Sequence, residues 1–354
     1  MENFKVLTNV FFLLVTVFVM SSCDGTEENP EPDGEYKSGI FVANQGAFQT
    51  GTGTVTFWDR DSLLTKQKIF EQVNDRQLGN ILQSITIHNG RAYLVINNAA
   101  KVEVVDAETF EEIGVITDVD LPRYFVGIDE TRGYLSGWGA TGVEGYVKMI
   151  DLESLTVTST ISTGSGTGRM RQFGNYIFAT NSGGFGRDST VAVIDIQGDS
   201  LLRKIQLADN PQSVILGGDG MIWVLCNGYS DWMDPANNTN GQIAKINPAT
   251  YDVENTMDLP GNGAVDLVYN DDMLYFSFFG AIYSQDINNA TFDNNVFVSR
   301  YFYGLGYDPY SGYLNFADAG DFASDGQIFR YDVSGNFVDS LSVGIVPSNM
   351  AFTE

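Results

Sequence analysis

The sequence predicts an all-β protein: a seven-bladed β-propeller of four-stranded blades, its ring closed by the C-terminal strand, which completes blade one. Three observations predict it. A strand of the form Val/Ile-x-x-x-Asp/Asn recurs seven times, at Val55…Asp59, Val102…Asp106, Val147…Asp151, Val191…Asp195, Ile243…Asn247, Ile282…Asp286 and Ile328…Asp332. An apolar strand led by an aromatic precedes each copy, at Phe41, Tyr93, Tyr134, Tyr176, Trp223, Tyr275 and Tyr313. Successive copies start 39 to 52 residues apart, the length of a blade holding four short strands.

The chain opens with an address. Residues 1–22 read as a lipoprotein signal peptide: Lys5 precedes an apolar run from Val10 to Met20, about half the ~20 residues a membrane-spanning helix needs. Ser21-Ser22-Cys23 resembles a relaxed bacterial lipobox, which would make Cys23 the lipidated residue. A plain secretory signal with a chance cysteine is the alternative. Residues 23–37 read as that cysteine and an acidic, proline-bearing tether. An acidic stretch directly after the cysteine resembles the surface-export signal of Bacteroidota lipoproteins, implying an outer-membrane, lipid-anchored, cell-surface location. The propeller is residues 38–354.

Within each blade the in-and-out alternation of strands directs the aromatic and the β-branched residue into the wedge between neighbours. The Asp or Asn closing the third strand is placed to accept backbone N–H groups of the next turn. Pairs such as Asn89-Gly90 and Ser311-Gly312 mark hairpin turns before the aromatic strands. Blade one begins at Ile40-Phe41 without a preceding strand, while the chain ends on Val346–Thr353, which matches the first strands Leu82–Ile87 and Gln212–Leu216. The last segment is therefore expected to supply the innermost strand of blade one and remove an open edge.

Charge excludes several functions. Nineteen Lys+Arg against 45 Asp+Glu give a net charge of −26, the opposite of the basic footprint that nucleic acid requires. One histidine, His88, and two cysteines, Cys23 and Cys226, leave no His-rich metal site and no disulfide framework. His88 lies at a turn opposite the long loops and reads as structural, and Cys226 reads as a buried hydrophobe. Gly164-Ser-Gly-Thr-Gly168 precedes a strand rather than a helix, so it is weak as a phosphate loop. Two acidic loops carry residues that calcium would use, Asp231, Asp234, Asn237 and Asn238, or Asp318, Asp321 and Asp325. Their spacing does not match an EF-hand, and an acidic chain has such runs by chance. No other cofactor is expected.

Length variation collects on one face. From Tyr275 to Ile282 is 7 residues, whereas from Trp223 to Ile243 is 20. Binding surfaces of rigid scaffolds sit where such loops gather. The candidate ligand-binding residues on these loops and on the links between blades are Phe48, Arg123, Tyr124, Trp138, Arg171, Phe185, Tyr229, Trp232, Tyr301, Tyr303 and Phe322. Aromatics set among Gly, Asn and Ser offer rigid contact area with adaptable hydrogen bonding. The bland reading is that these are ordinary turns whose aromatics tuck onto their own blades.

The opening Ile40-Phe-Val-Ala-Asn-Gln-Gly46 with Gly53-Thr-Val-Thr-Phe-Trp-Asp59, the segments Gln77-Leu-Gly-Asn80 and Gln83-Ser84, and the repeated Val-x-x-x-Asp strands resemble the YncE-like, DUF5074-type propeller lipoproteins of Bacteroidota. The resemblance covers Ser38–Glu354. Its members include surface propellers that bind cobalamin and cap a TonB-dependent vitamin B12 transporter. It implies a non-enzymatic lipoprotein that captures a corrinoid as transported ligand on the long-loop face. The partner it implies is a TonB-dependent outer-membrane transporter, with membrane contact through the lipid alone. Two other readings stay open: a scaffold for a glycan or a partner protein, and a propeller lactonase or lyase. Asp-Ser-Leu at Asp61, Asp199 and Asp339 resembles an O-glycosylation acceptor of Bacteroidota, with Ser62, Ser200 and Ser340 as acceptors. A turn Asp followed by a strand accounts for the same residues.

Overall fold

The computed structural model describes residues 34–48 and 51–354. The leader and Cys23 lie outside the described residues, as does the tether up to residue 33. The rest folds as one unit from Gly34 to Glu354.

Seven antiparallel four-stranded sheets form the blades. Their inner strands are Leu82–His88, Pro122–Gly127, Thr167–Phe173, Pro211–Leu216, Val265–Asn270 and Gly304–Asp308 for blades two to seven, and Pro347–Thr353 for blade one. The last of these pairs with Gly39–Asn44, from Gly39 opposite Thr353 to Asn44 opposite Pro347. The ring is thus closed by its C-terminal strand, as the sequence predicts.

Of the seven aromatics of the repeat, all but Tyr313 pack into a wedge, while Tyr313 lies half-buried under the Arg330 guanidinium at 5.5 Å. The turn residues of the repeat do what their spacing predicts. Asp59, Asp106, Asp151, Asp195, Asn247, Asp286 and Asp332 each accept a backbone N–H two residues on through the side-chain oxygen, at 2.8–3.1 Å. This ties the third strand to the turn that follows it. Asn89 and Gly90 have φ of 48° and 71°, the pair of left-handed residues that a tight hairpin requires. Between successive blades lies an apolar wedge. Trp223 and Ile243 pack with Leu267, Leu274 and Phe276 of the next blade, and Tyr93 and Val102 pack with Phe125 and Leu135.

Two local features were not expected. The fourth strand of blade one is only Thr65–Lys66, and a short helix, Ile69–Asn74, follows it. Ile69 and Phe70 of that helix are buried in the first wedge beside Phe41 and Phe110. Gly34–Lys37, read as the end of the tether, belong to the packed unit. Tyr36 is 3% exposed, with its ring 5.2 Å from Phe57 and 5.7 Å from Phe110. An aromatic with apolar neighbours within reach is buried whatever the polarity of the residues before it.

The turn carboxylates make stability depend on acid. Backbone and hydroxyl donors from Ser154 hold Asp151 below its ordinary range, Asn336 does the same for Asp332, and Thr131 takes Asp129 down to about 2. A folded-state value below the unfolded one stabilises the fold above pH ~4 and stops doing so as pH falls through the folded value. The melting temperature should therefore hold above pH ~4 and drop between pH ~4 and ~2. A melting temperature unchanged across that window would show that these turns contribute nothing.

Candidate functional site

The central channel opens on the long-loop face, and its rim is built by a repeated backbone device. In six blades the inner strand begins with a β-bulge, where its pairing to the next strand slips. The residues displaced by these bulges include Gln83, Arg123, Tyr124, Arg169, Gln212, Asp266 and Ser348, and all of them line the channel mouth. A bulge places an extra residue on one strand and re-aims its side chain, here from the wedge to the axis. Blade seven, whose pairing is regular from Gly304 to Asp308, contributes Tyr301 and Tyr303 from the preceding link instead.

The residue before the inner strand is left-handed in five blades: Ile81, Leu121, Gly166, Asn210 and Val346, with φ between 44° and 63°. The carbonyl of each accepts a hydrogen bond from a corner. The acceptors Val346, Ile81, Leu121, Gly166 and Asn210 receive the backbone N–H of Gln45, Asn97, Trp138, Ser182 and Asn227, at 2.8–3.2 Å. Those five residues are the first after the second strand of their blades. The contact clamps the start of each long loop to the rim. A left-handed Ile, Leu or Val costs energy and persists only where surrounding structure over-determines it.

Beside the mouth is a cavity of about 540 Å³ that shares Gln45, Gln83, Arg123 and Tyr303 with it. Its wall adds Phe48, Trp138 and Phe185, from three different blades, together with Asn97 and Asn98. Phe48 and Phe185 are 74% and 75% exposed. Trp138 meets Phe185 edge-on at 5.5 Å and carries the Arg123 guanidinium over its ring at 4.0 Å. Burial works against the charged form of Arg123, pulling it below the ordinary arginine value. Arg169 is also penalised by burial, but Asp266, 2.8 Å away, outweighs this and holds it above the ordinary value. The Asp266 carboxylate also accepts the amides of Leu267 and Leu305, at 3.0 and 2.9 Å. It is fully engaged in holding the rim.

Seven of the eleven candidate ligand-binding residues line these two spaces: Phe48, Arg123, Tyr124, Trp138, Phe185, Tyr301 and Tyr303. Phe322 stands behind them, edge-on to Tyr303 at 5.3 Å. Arg171 lies lower in the channel, in a space of about 390 Å³. Tyr229 and Trp232 sit on the blade-five loop outside the cavity. Tyr229 lies under the Arg187 guanidinium, 4.6 Å away, and Trp232 is 88% exposed. Sequence reasoning missed Gln83, Gln212, Asp266 and Ser348 as rim residues, and of the link Arg169–Arg171 it chose Arg171 where Arg169 reaches the mouth. The signal available was a polar residue second in the inner strand, three times directly after proline at Pro122, Pro211 and Pro347.

In the two acidic loops the carboxylates of Asp231, Asp234, Asp318 and Asp321 are engaged within their own loops or with Arg300. Asp231 accepts the amides of Met233 and Asp234 and the side chain of Asn237, while Asp234 accepts Ala236. Asp318 pairs with Arg300, and Asp321 accepts Ala323 and Ser324. Among the described residues no three acidic, histidine or cysteine side chains come together as a metal would need. His88 shares a 2.8 Å hydrogen bond with the Asp129 carbonyl of the next blade. Cys226 is buried, which pushes its thiol well above the usual range. In the glycine-rich run the Ser165 amide is donated to Asp188. Ser62, Ser200 and Ser340 are exposed.

No curated protein matches the sequence. Among solved structures, the chain is similar to a quinonprotein alcohol dehydrogenase-like protein from Bacteroides thetaiotaomicron, at TM-score 0.65 and 18% identity, over 91% of this chain and 79% of that one. It is also similar to hydrazine synthase of Kuenenia stuttgartiensis, at 0.56 and 16%, over 75% and 88%. A third is apo AztD from Citrobacter koseri, at 0.52 and 12%, over 89% and 97%. At these identities the likeness is one of fold alone. A family model described as a domain of unknown function, DUF5074, matches residues 38–344, so the chain is a member of the DUF5074 family.

Proposed function

We propose that this propeller is a non-enzymatic binding protein that captures a corrinoid on the long-loop face for delivery to a TonB-dependent outer-membrane transporter. The observation that carries the reading is the convergence of Phe48, Trp138, Phe185 and Tyr303, from four blades, on one open cavity of about 540 Å³ beside the channel. A corrinoid is a large flat body edged with amides. The aromatic wall offers it area, and Gln45, Gln83, Asn97 and Asn98 offer amide partners. The resemblance to cobalamin-binding surface propellers supports the same ligand. The chain enters the ring beside Glu108, in a turn between third and fourth strands, on the face opposite the cavity. A lipid at Cys23 would then leave the cavity free for cargo.

Calorimetric titration of cyanocobalamin into the full chain tests the reading, with the double variant Phe48→Ala, Phe185→Ala as comparison. Both side chains are exposed, so the variant should melt at the temperature of the parent. One-to-one binding, weakened at least about tenfold in the variant, is the expected result. Absence of both binding heat and thermal stabilisation with cobalamin would overturn the corrinoid reading.

A further inference from the structure

The geometry points to an oxyanion subsite on the channel axis, in which Arg123 receives a phosphate or carboxylate of the ligand while Trp138 and Phe185 hold the flat body attached to it. This rests on reading the long-loop face as a ligand site, and it adds the charge that the ligand must bring there.

Charge along the axis is the first observation. Of the residues lining the mouth, the cavity and the lower channel, the charged ones are Arg123, Arg169, Arg171 and Asp266. Asp266 is taken by Arg169. Among the described residues, no carboxylate lies within ion-pair distance of Arg123 or Arg171. A chain with net charge −26 therefore carries a cationic axis. The surface charge acts over a Debye length of about 8 Å at physiological salt, so the nearer guanidiniums govern what enters the channel.

Unmet donors are the second observation. Arg123 Nε and Trp138 Nε1 are buried at the cavity wall, and neither has a protein acceptor. Buried donors in native structures are matched by an acceptor. A guanidinium held over an indole, with Tyr124 beside it, still has the unmet Nε–H, and a guanidinium's N–H fork matches two oxygens of one carboxylate or phosphate. Burial also pulls Arg123 below its ordinary value, a penalty that an anion would reverse.

The position of Arg123 is fixed rather than adaptable. It sits on the blade-three bulge, where Ser84 Oγ donates to its carbonyl at 2.8 Å and the Ser136 hydroxyl accepts the next amide, that of Tyr124, at 3.1 Å. The guanidinium is therefore pre-set on its platform before any ligand arrives. Pre-setting of this kind lowers the ordering cost of binding.

Phenyl phosphate, benzoate, phenol and inorganic phosphate, titrated separately into the full chain and followed calorimetrically, test the proposal. Phenyl phosphate and benzoate are expected to bind at least tenfold tighter than phenol, and Arg123→Gln is expected to bring that preference to within twofold. Inorganic phosphate binding as tightly as phenyl phosphate would identify free anion as the occupant of the same subsite, whereas weaker binding would identify an ester. Should Arg123→Gln melt early, Arg123→Lys keeps the charge and is expected to keep the preference. Equal binding of phenol and phenyl phosphate, no binding of any anion, or a preference unchanged in Arg123→Gln would each overturn the proposal. Cobalamin bound undiminished by Arg123→Gln would remove the subsite and leave the corrinoid reading standing. Anion binding without cobalamin binding would do the reverse.

Discussion

A chain ending at Ile345 is expected to lose its cooperative thermal transition altogether. The missing segment is the innermost strand of blade one, hydrogen-bonded to Gly39–Asn44 along its whole length. Without it Ile40, Val42 and Trp58 lose Met350 and Phe352 from the wedge between blades seven and one. Arg60 also loses the Thr353 carbonyl, 2.8 Å from Nη1, which it holds together with Asp308. An opened ring exposes a long unpaired strand edge, which invites aggregation. Calorimetry on the shortened chain is the measurement. A transition at the parent temperature would show that six complete blades and a three-stranded seventh are stable without closure.

Glu103→Ala is expected to cost about 3 kcal/mol. Glu103 is a fully buried carboxylate on the third strand of blade two. It receives both Nη atoms of Arg76 at 2.8 Å and Lys101 at 2.5 Å, and Arg76 also reaches Glu112 at 2.6 Å. The cluster fastens the link after the Ile69–Asn74 helix, with Arg76 lying 4.8 Å over the Phe70 ring. Removing the shared acceptor leaves two cations facing each other, and because Arg76 and Lys101 are partly exposed, water recovers some of the loss. Burial raises the Glu103 carboxyl, but Arg76 and Lys101 outweigh it and hold it below the usual range. Its stabilisation is therefore present above pH ~4 and is lost as pH falls through the folded value. Urea unfolding should show a wide gap between parent and variant at pH 7 that narrows in acid. A gap of constant width would assign the effect to packing and not to charge.

Much of the ring is legible in the sequence because its rules are periodic. The Asp that ends each third strand and the aromatic that leads each second strand recur at blade spacing, and each performs one local task that needs no knowledge of distant residues. The long-loop face is legible for a related reason, since Phe48, Trp138 and Phe185 are large apolar groups among turn residues. The rim is not. Whether Arg169 or Arg171 reaches the mouth depends on a bulge between Thr167 and Met170, and a shift of one residue turns every side chain of a strand to the other face. The six-residue helix is too short to carry a helical period, and Tyr36 is hidden by the acidic run that precedes it.

The rim bulges have a consequence for how the mouth of such a ring can vary. Each places one or two side chains on the axis from a strand whose other residues belong to a wedge. Gln83, Arg123, Arg169, Gln212, Asp266 and Ser348 thus act as exchangeable slots on a wheel, each supplied by a different blade. Replacing Gln83, Gln212 or Ser348 alters the chemistry of the mouth while the bearing around it keeps its shape, whereas Arg169 and Asp266 are also tied into the rim. The chemistry of the mouth can drift slot by slot, in nature or by design, on a ring held together mainly by its wedges.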